Sequence, residues 1–269
     1  MRALMLAMAI SVIASPVWAN ARITVLMDVL QVREVVEIFR AEGIIYAQEL
    51  DVDFLDGQGG AFWAAQVRRI YDAQRISEQV RVALETGLSD AEVEAAIAFF
   101  GSPEGSRIIA LENAARRAMG DPEIEDAARE IYQELAQAGD TLVDQVRAYI
   151  EVNDLLERNV SGAMSANYQF YMGLSEGGYD PRSEAAILED VWSQQEAIRT
   201  DTEDWLYGFL LMAYQPVAPD VLQGYIDYSV SAPGQALNAA LFAGFDAMYL
   251  DVSYGLGRAL ALSAKGDEI

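Results

Sequence analysis

Apolar residues recur at intervals of three and four along most of the chain, the spacing that gives an α-helix one buried face. Ile108, Leu111 and Ala115 follow this spacing. No segment shows the sustained alternation of a half-buried strand, so the pattern predicts an all-α fold. The stretch 122–172 is predicted either as one helix or as two that meet near Gly139. The predicted helices run near residues 24–48, 61–86, 90–100, 103–118, 122–172, 184–213, 219–229 and 233–262.

Short polar motifs mark where several of these helices begin. Ser89 and Glu92 have the spacing of a capping box, in which each side chain satisfies a backbone amide that the first helical turn leaves free. Ser102 and Pro103 combine an N-cap residue with a first-turn proline, and the Asp-Pro pair at 121–122 repeats the device. The motifs therefore predict helix starts close to residues 90, 103 and 122.

The first 19 residues, MRALMLAMAISVIASPVWA, have the three parts of an export signal. Arg2 supplies the positive start, residues 3–14 form an apolar run, and Ala19 ends a small-x-Ala cleavage site, with Ala21 as a second site. The apolar run is shorter than a membrane span. We therefore predict cleavage, a soluble periplasmic protein, and no transmembrane segment in the mature chain.

Composition narrows the chemistry that the protein can perform. Lys plus Arg total 18 against 42 for Asp plus Glu, a formal charge of −24, and the chain has no His and no Cys. These absences exclude Ser-His-Asp triads, thiolate nucleophiles, disulfides and His or Cys zinc ligands. We predict no catalytic residue, no cofactor and no metal site. The charge argues against nucleic acid as a partner, because phosphate binding needs clustered Lys and Arg.

The chain resembles itself when it is shifted by 129 residues. The matched pairs include Trp63 with Trp192, Ile97 with Ile226, Phe99 with Tyr228, Ser102 with Ser231, Gly105 with Gly234 and Met119 with Met248. We interpret this as an internal duplication that gives two tandem helical bundles packed together. The predicted organisation is a signal peptide at 1–19, a first repeat at 20–139, a diverged second repeat at 140–263 and a flexible tail at 264–269.

The second repeat is the more apolar of the two. In the self-alignment, five arginines of the first repeat are matched with apolar residues of the second. They are Arg68, Arg69, Arg81, Arg107 and Arg116, against Ala197, Ile198, Leu210, Ala236 and Phe245. Surplus apolar surface in the second repeat either packs against the first repeat or lines a groove for a ligand or partner.

The stretch from Leu88 to Gly105, LSDAEVEAAIAFFGSPEG, resembles the signature of the bacterial family called domain of unknown function 2059. The resemblance covers roughly residues 60–120 and implies a helical exported protein with no established activity. The matching positions are Phe99, Phe100, Ser102, Pro103 and Gly105. The second repeat keeps Ser231 and Gly234 but has Tyr228 in place of the first aromatic residue.

We expect this motif to be structural. The aromatic pair can end one helix in the core, Ser102 and Pro103 can start the next, and Gly105 lets another backbone come close.

A separate aromatic cluster has two interpretations: its side chains pack in the core, or they line an apolar ligand pocket. Its members are Tyr168, Phe170, Tyr171 and Met172. Taken together, the residues favour a non-enzymatic module of the cell envelope that binds an unknown envelope protein or stabilises the envelope. One alternative is a carrier of an apolar or lipidic ligand. A glycan hydrolase that works through paired carboxylates is the least favoured alternative.

Overall fold

The computed structural model describes residues 16–265, which form thirteen α-helices and no strand. The all-α prediction is therefore confirmed for this part of the chain. The helices are α1 (Pro16–Val29), α2 (Val32–Leu55), α3 (Gly60–Ile70), α4 (Ala73–Gly87), α5 (Asp90–Phe100), α6 (Pro103–Ala118), α7 (Pro122–Ala138), α8 (Thr141–Val152), α9 (Leu155–Gly177), α10 (Glu184–Ser193), α11 (Gln195–Tyr214), α12 (Pro219–Val230) and α13 (Ala232–Ala264).

The helix starts predicted from capping motifs are confirmed. α5 begins at Asp90 behind a complete capping box between Ser89 and Glu92. α6 begins at Pro103, and α7 begins at Pro122 behind Asp121, whose carboxylate accepts a hydrogen bond from the Glu123 amide at 3.0 Å. Side-chain oxygens thus take up the free amides of these helix starts, as the sequence indicated.

Three of the predicted helices are wrong as single elements, whereas 233–262 is confirmed as the single helix α13. The stretch 24–48 is divided at Gln31, which has a left-handed backbone with φ 52°. The stretch 61–86 is divided by Asp72, which caps α4 by accepting from the Arg75 amide at 2.8 Å. The stretch 184–213 is divided at Gln194. Apolar periodicity continues past such breaks, because each new helix presents its apolar side to the same core.

The stretch 122–172 is divided twice. The first break is at Gly139, with φ 69°, where the sequence left open a division. The second is at Asp154, a non-glycine residue with φ 54°, which no sequence signal predicted. A single left-handed residue interrupts the ladder of helical hydrogen bonds without needing a proline.

The 33-residue helix α13 is the spine of the fold, since it packs against α2, α3, α4, α5, α9 and α12. Its contact with α9 is backbone to backbone. A Cβ at Gly257 would lie 2.1 Å from the Phe170 carbonyl oxygen, and one at Gly173 would lie 2.3 Å from the Tyr254 carbonyl oxygen. Only residues without a side chain allow the two helices to approach this closely.

We refer below to residues 16–139 as the N-terminal half and to residues 140–265 as the C-terminal half. One hydrophobic core includes buried side chains of both halves, among them Leu26 and Val80 of the first and Leu210 and Leu260 of the second. Helix α4 packs against α13, and α6 packs against α11, so helices of each half lie on the other. The duplication itself stays a prediction.

The ends of the predicted organisation lie partly outside the described residues. Of the predicted signal peptide, residues 1–15 lie outside, and the cleavage site after Ala19 falls within α1. Of the predicted tail, residues 266–269 lie outside. Between residues 16 and 265, no helix combines the length and the apolar character that a bilayer crossing requires.

Candidate functional site

The two copies of the Ser-x-x-Gly motif form corners with the same local geometry. At the α5–α6 corner, the Ser102 hydroxyl accepts from the Gly105 amide at 3.0 Å and donates to the Phe99 carbonyl at 2.7 Å. At the α12–α13 corner, the Ser231 hydroxyl accepts from the Gly234 amide at 3.2 Å. It also donates to the carbonyl that precedes it by three residues, at 2.6 Å. Both serines therefore close one helix and start the next.

The glycine of each corner meets the backbone of the helix just before it. A Cβ at Gly105 would lie 2.2 Å from the Phe99 carbonyl oxygen, and one at Gly234 would lie 2.1 Å from the Tyr228 carbonyl oxygen. The close backbone expected at Gly105 thus belongs to the adjoining helix of the same corner. These residues have a structural role in the sharp α5–α6 and α12–α13 turns.

Aromatic side chains bring the two corners together. The rings of Phe99 and Tyr228 stack with centroids 4.2 Å apart and planes 12° from parallel. Phe100, which is 3% exposed, meets Tyr228 edge to face at 5.4 Å. Residues that the sequence placed 129 apart are therefore in direct contact across the two halves, and their contacts are packing contacts.

The aromatic cluster predicted as an apolar pocket spreads over several neighbours. Tyr168 donates a hydrogen bond to Glu184 at 3.1 Å. The Arg182 guanidinium lies 4.8 Å from the centroid of the Tyr171 ring. Phe170 meets the Phe54 ring at 6.4 Å, and Met172 is partly buried on the same helix. The pocket hypothesis stays a prediction, and the contacts described here are with other side chains of the fold.

Sequence reasoning missed a carboxyl among tyrosines at the junction of the two halves. Glu112 of α6 accepts a hydrogen bond from the Tyr214 hydroxyl at 2.6 Å, and the Tyr225 hydroxyl also bonds to this carboxyl. Tyr149 in turn donates to Tyr225 at 2.8 Å. The three tyrosines come from α8, α11 and α12, so one acid of the N-terminal half bonds directly to α11 and α12 and, through Tyr225, to α8.

Burial raises the pKa of Glu112 to about 7, although the hydrogen bonds from Tyr214 and Tyr225 oppose the rise. A signal for this position exists in the sequence. Glu112 follows the buried Ile108 by four residues and precedes the buried Ala115 by three, so it lies on the inward side of α6. The acid was overlooked because single carboxylates on helices most often face water.

One turn further along α6, Arg116 makes a second polar contact between helices. Its guanidinium donates twice to the Glu42 carboxylate of α2, at 2.7 and 2.8 Å. It also lies 4.7 Å from the centroid of the Trp205 ring of α11. This bidentate and aromatic geometry suits arginine specifically. Glu112 and Arg116 therefore hold neighbouring helices together through hydrogen bonds.

A surface groove of about 460 Å³ lies between α8, α9 and α11. Its floor includes Ile150, Leu206 and Tyr207, which are 6, 5 and 7% exposed. Tyr207 is held from behind by Tyr132, whose ring stacks on it at 4.4 Å. The floor is thus apolar and fixed by the core.

The walls of this groove carry charge. Glu151 and Glu203 stand on α8 and α11, and Arg147 is the lining cation. Glu157 lines the α9 side and is tied to Arg199 by two hydrogen bonds of 2.6 Å, which lower the pKa of the Glu157 carboxyl. A groove with an apolar floor and charged walls can bind a ligand that has an aliphatic part and a polar end.

A second, shallower groove of about 740 Å³ runs between α4 and α13. Small side chains make its floor, because α13 approaches α4 at Gly244, where a Cβ would lie 3.0 Å from Ala83. One edge is polar: Arg75 donates to Asp251 at 2.7 Å. Among residues 16–265, no three acidic side chains come together as a metal site.

Comparison with known proteins supports the resemblance for one segment. Residues 74–135 match the model of a family described as "Uncharacterized protein conserved in bacteria (DUF2059)". The matched segment runs from the start of α4 into α7 and includes the α5–α6 corner and Glu112. No curated protein and no solved structure gives a significant match to the chain.

Proposed function

We propose that the protein is an exported, non-enzymatic binding module of the bacterial cell envelope, with the groove between α8, α9 and α11 as its binding site. The observation that carries the proposal is the composition of that groove. Its floor at Leu206 and Tyr207 is rigid and apolar, and its walls at Glu151 and Glu203 are charged. Ligand sites combine a mostly apolar lining with a few placed polar groups in this way.

The polar groups inside the bundle support a non-catalytic role. Glu112 is the acid whose pKa burial raises to about 7, and its hydrogen-bond partners are tyrosines of the fold. The Arg116 guanidinium is likewise hydrogen-bonded to the Glu42 carboxylate of the fold. Groups that hold helices together are not free to transfer protons to a substrate. The envelope location rests on the signal-like residues 1–19 and on the bacterial family matched at residues 74–135.

The proposal is tested by native mass spectrometry of the protein purified from the envelope fraction of its own host without detergent. The expected result is a chain that begins at Asn20 and carries extra mass that leaves on denaturation. Leu156→Trp, at the wall of the groove, should abolish the extra mass because an indole would fill the space. Val52→Trp on α2 is the matched control, since Val52 is 65% exposed and lies outside the groove.

Two results would contradict the proposal. One is a bare chain under every condition, and the other is a bound mass that Leu156→Trp leaves unchanged. A chain recovered from the cytoplasm with Met1 in place would overturn the envelope location.

The groove between α4 and α13 favours a second candidate, a carrier of an apolar ligand such as a fatty acyl chain. Its floor is built from Ala83 and Gly244, which leave room for a flat or extended apolar group. Uptake of a fluorescent fatty acid that Ala243→Trp blocks would support this function. Uptake that is absent, or that is indifferent to Ala243→Trp, would contradict it.

A further inference from the structure

Helix α10 has two apolar sides, and only one of them packs against the protein. Ile187 and Val191, one turn apart, are 0 and 3% exposed. Leu188 and Trp192, also one turn apart, are 40 and 61% exposed. Together with the exposed Ala185, they form a stripe at positions i, i+3 and i+7 of the helix. We call these three residues the α10 stripe.

A stripe with this spacing is the pattern by which a helix presents an apolar face to another chain. Trp192 is the strongest part of the observation, because tryptophan buries a large area when it docks and is enriched among the residues that dominate binding energy. The fold does not need the stripe for its own packing. Ile187 and Val191 are buried on the other side of α10, which packs against α9 and α11.

The charges around the stripe limit what can cover it. Glu184, Glu189, Asp190 and Glu196 lie on or just after α10, and no Lys or Arg occurs between residues 183 and 198. Two basic groups flank these acids: Arg182, which pairs with Asp190, and Arg199, whose charge interacts with Glu196. A second copy of the chain would bring the same acids to the same place, so like charges disfavour self-association through this face.

We propose that the α10 stripe is a docking surface for a partner protein, on which an apolar side chain flanked by Lys or Arg covers Leu188 and Trp192. This inference rests on the proposed function, since it assumes that the protein binds a partner, and it adds the contact surface and the chemistry of that partner. The apolar side chain shields the indole, and the basic flanks meet Glu189 and Glu196. The acids also steer the partner, so association should weaken as salt rises.

The test uses an 18-residue synthetic helical peptide with Leu at intervals of three and four and Lys at the remaining positions. A second peptide has Glu in place of every Lys. Binding to the full-length protein is measured by calorimetry at low and at physiological salt. The variant Leu188→Ser/Trp192→Ser removes the stripe at exposed positions, so the fold is retained. Val52→Ser is the matched control, because Val52 is an equally exposed apolar residue on α2.

The expected result is that wild type and Val52→Ser bind the Lys peptide alike. The Leu188→Ser/Trp192→Ser variant should bind it at least about tenfold more weakly, as for a lost tryptophan contact. The Glu peptide should not bind to any of them. Circular dichroism and melting temperature confirm that the variants are folded.

Each of the following results would overturn the inference. The double variant could bind as tightly as wild type, the Val52→Ser control could lose as much affinity, or the Glu peptide could bind equally well. Loss of binding in Leu156→Trp alone would place the peptide in the groove. That outcome overturns the α10 stripe but leaves the proposed function standing. If the Lys peptide does not bind but native mass spectrometry shows a bound mass, the α10 stripe is likewise overturned and the proposed function stands.

Discussion

The N-terminal half keeps its short third helix fully engaged, whereas the C-terminal half leaves its counterpart partly uncovered. In α3, Trp63 is 4% exposed, and its indole donates to the Ala47 carbonyl at 3.2 Å. In α10, Trp192 is 61% exposed. Two tryptophans that lie 129 residues apart, and that the predicted duplication pairs, therefore have opposite surroundings. The difference leaves a large aromatic side chain at the surface of α10, within the stripe proposed above as a docking surface.

The two tryptophans also occupy different places in their helices. Trp63 lies in the first turn of α3, and Trp192 lies in the last turn of α10. The shift of 129 residues holds well at Ser102 and Ser231 but does not align these two helices residue for residue. A pair matched in sequence can thus differ in burial because the helices that carry it begin at different points.

The largest expected contrast comes from truncating each tryptophan. Trp63→Ala should reduce the free energy of unfolding by about 3–5 kcal/mol, because it leaves a cavity and removes the bond to Ala47. Trp192→Ala should change it by no more than about 0.5 kcal/mol, as for an exposed side chain. Urea unfolding followed by circular dichroism measures both. If both variants lost the same free energy of unfolding, the two tryptophans would not differ in burial as described.

A second contrast concerns the junction that joins the halves. The pKa of Glu112 is raised to about 7 in the fold, above its ordinary value of 4.5. The folded state therefore binds this proton more tightly than the unfolded state, and stability contributed by the protonated carboxyl is lost as the pH rises from about 4.5 to about 7. Glu112→Gln keeps the shape without the charge. It should be more stable than wild type above pH 7, by at most about 3 kcal/mol.

The measurement is the difference in unfolding free energy between wild type and Glu112→Gln at pH 5 and pH 8. Using the difference cancels the effect of the other acids, which titrate alike in both proteins. Glu123→Gln, at an exposed site on α7, is the control and should show no such trend. A difference that stays constant between the two pH values would show that the pKa of Glu112 is not raised.

The smallest contrast tests whether the two corners are equivalent. Gly105→Ala and Gly234→Ala should each cost about 1–3 kcal/mol, because each new Cβ would collide with a carbonyl oxygen of the preceding helix. Gly224→Ala in α12 is the control, since nothing lies within 4 Å of its Cβ position. It should stabilise by about 0.5–1 kcal/mol through helix propensity. Loss at one corner only would mean that the two turns differ.

Much of the fold could be predicted from the sequence, because local signals decide where several helices start. The capping motifs at Ser89, Ser102 and Asp121 placed three starts correctly. The breaks at Gln31 and Asp154 could not be predicted, because a left-handed backbone at a non-glycine residue is set by how the flanking helices pack. The inward position of Glu112 follows from its spacing to Ile108 and Ala115, but its tyrosine partners come from distant parts of the chain. The α10 stripe could not be predicted, because α10 has apolar residues on two sides and periodicity alone does not decide which side packs against the protein.

Photo-crosslinking in the living bacterium is the direct test of whether the α10 stripe docks on a partner protein. A photoreactive phenylalanine derivative replaces Trp192 in one strain and Val52 in another. We expect a covalent adduct with a basic protein from position 192, its loss when Leu188→Ser is added, and no adduct from position 52. No adduct at 192, or the same adducts from both positions, would contradict docking through the α10 stripe.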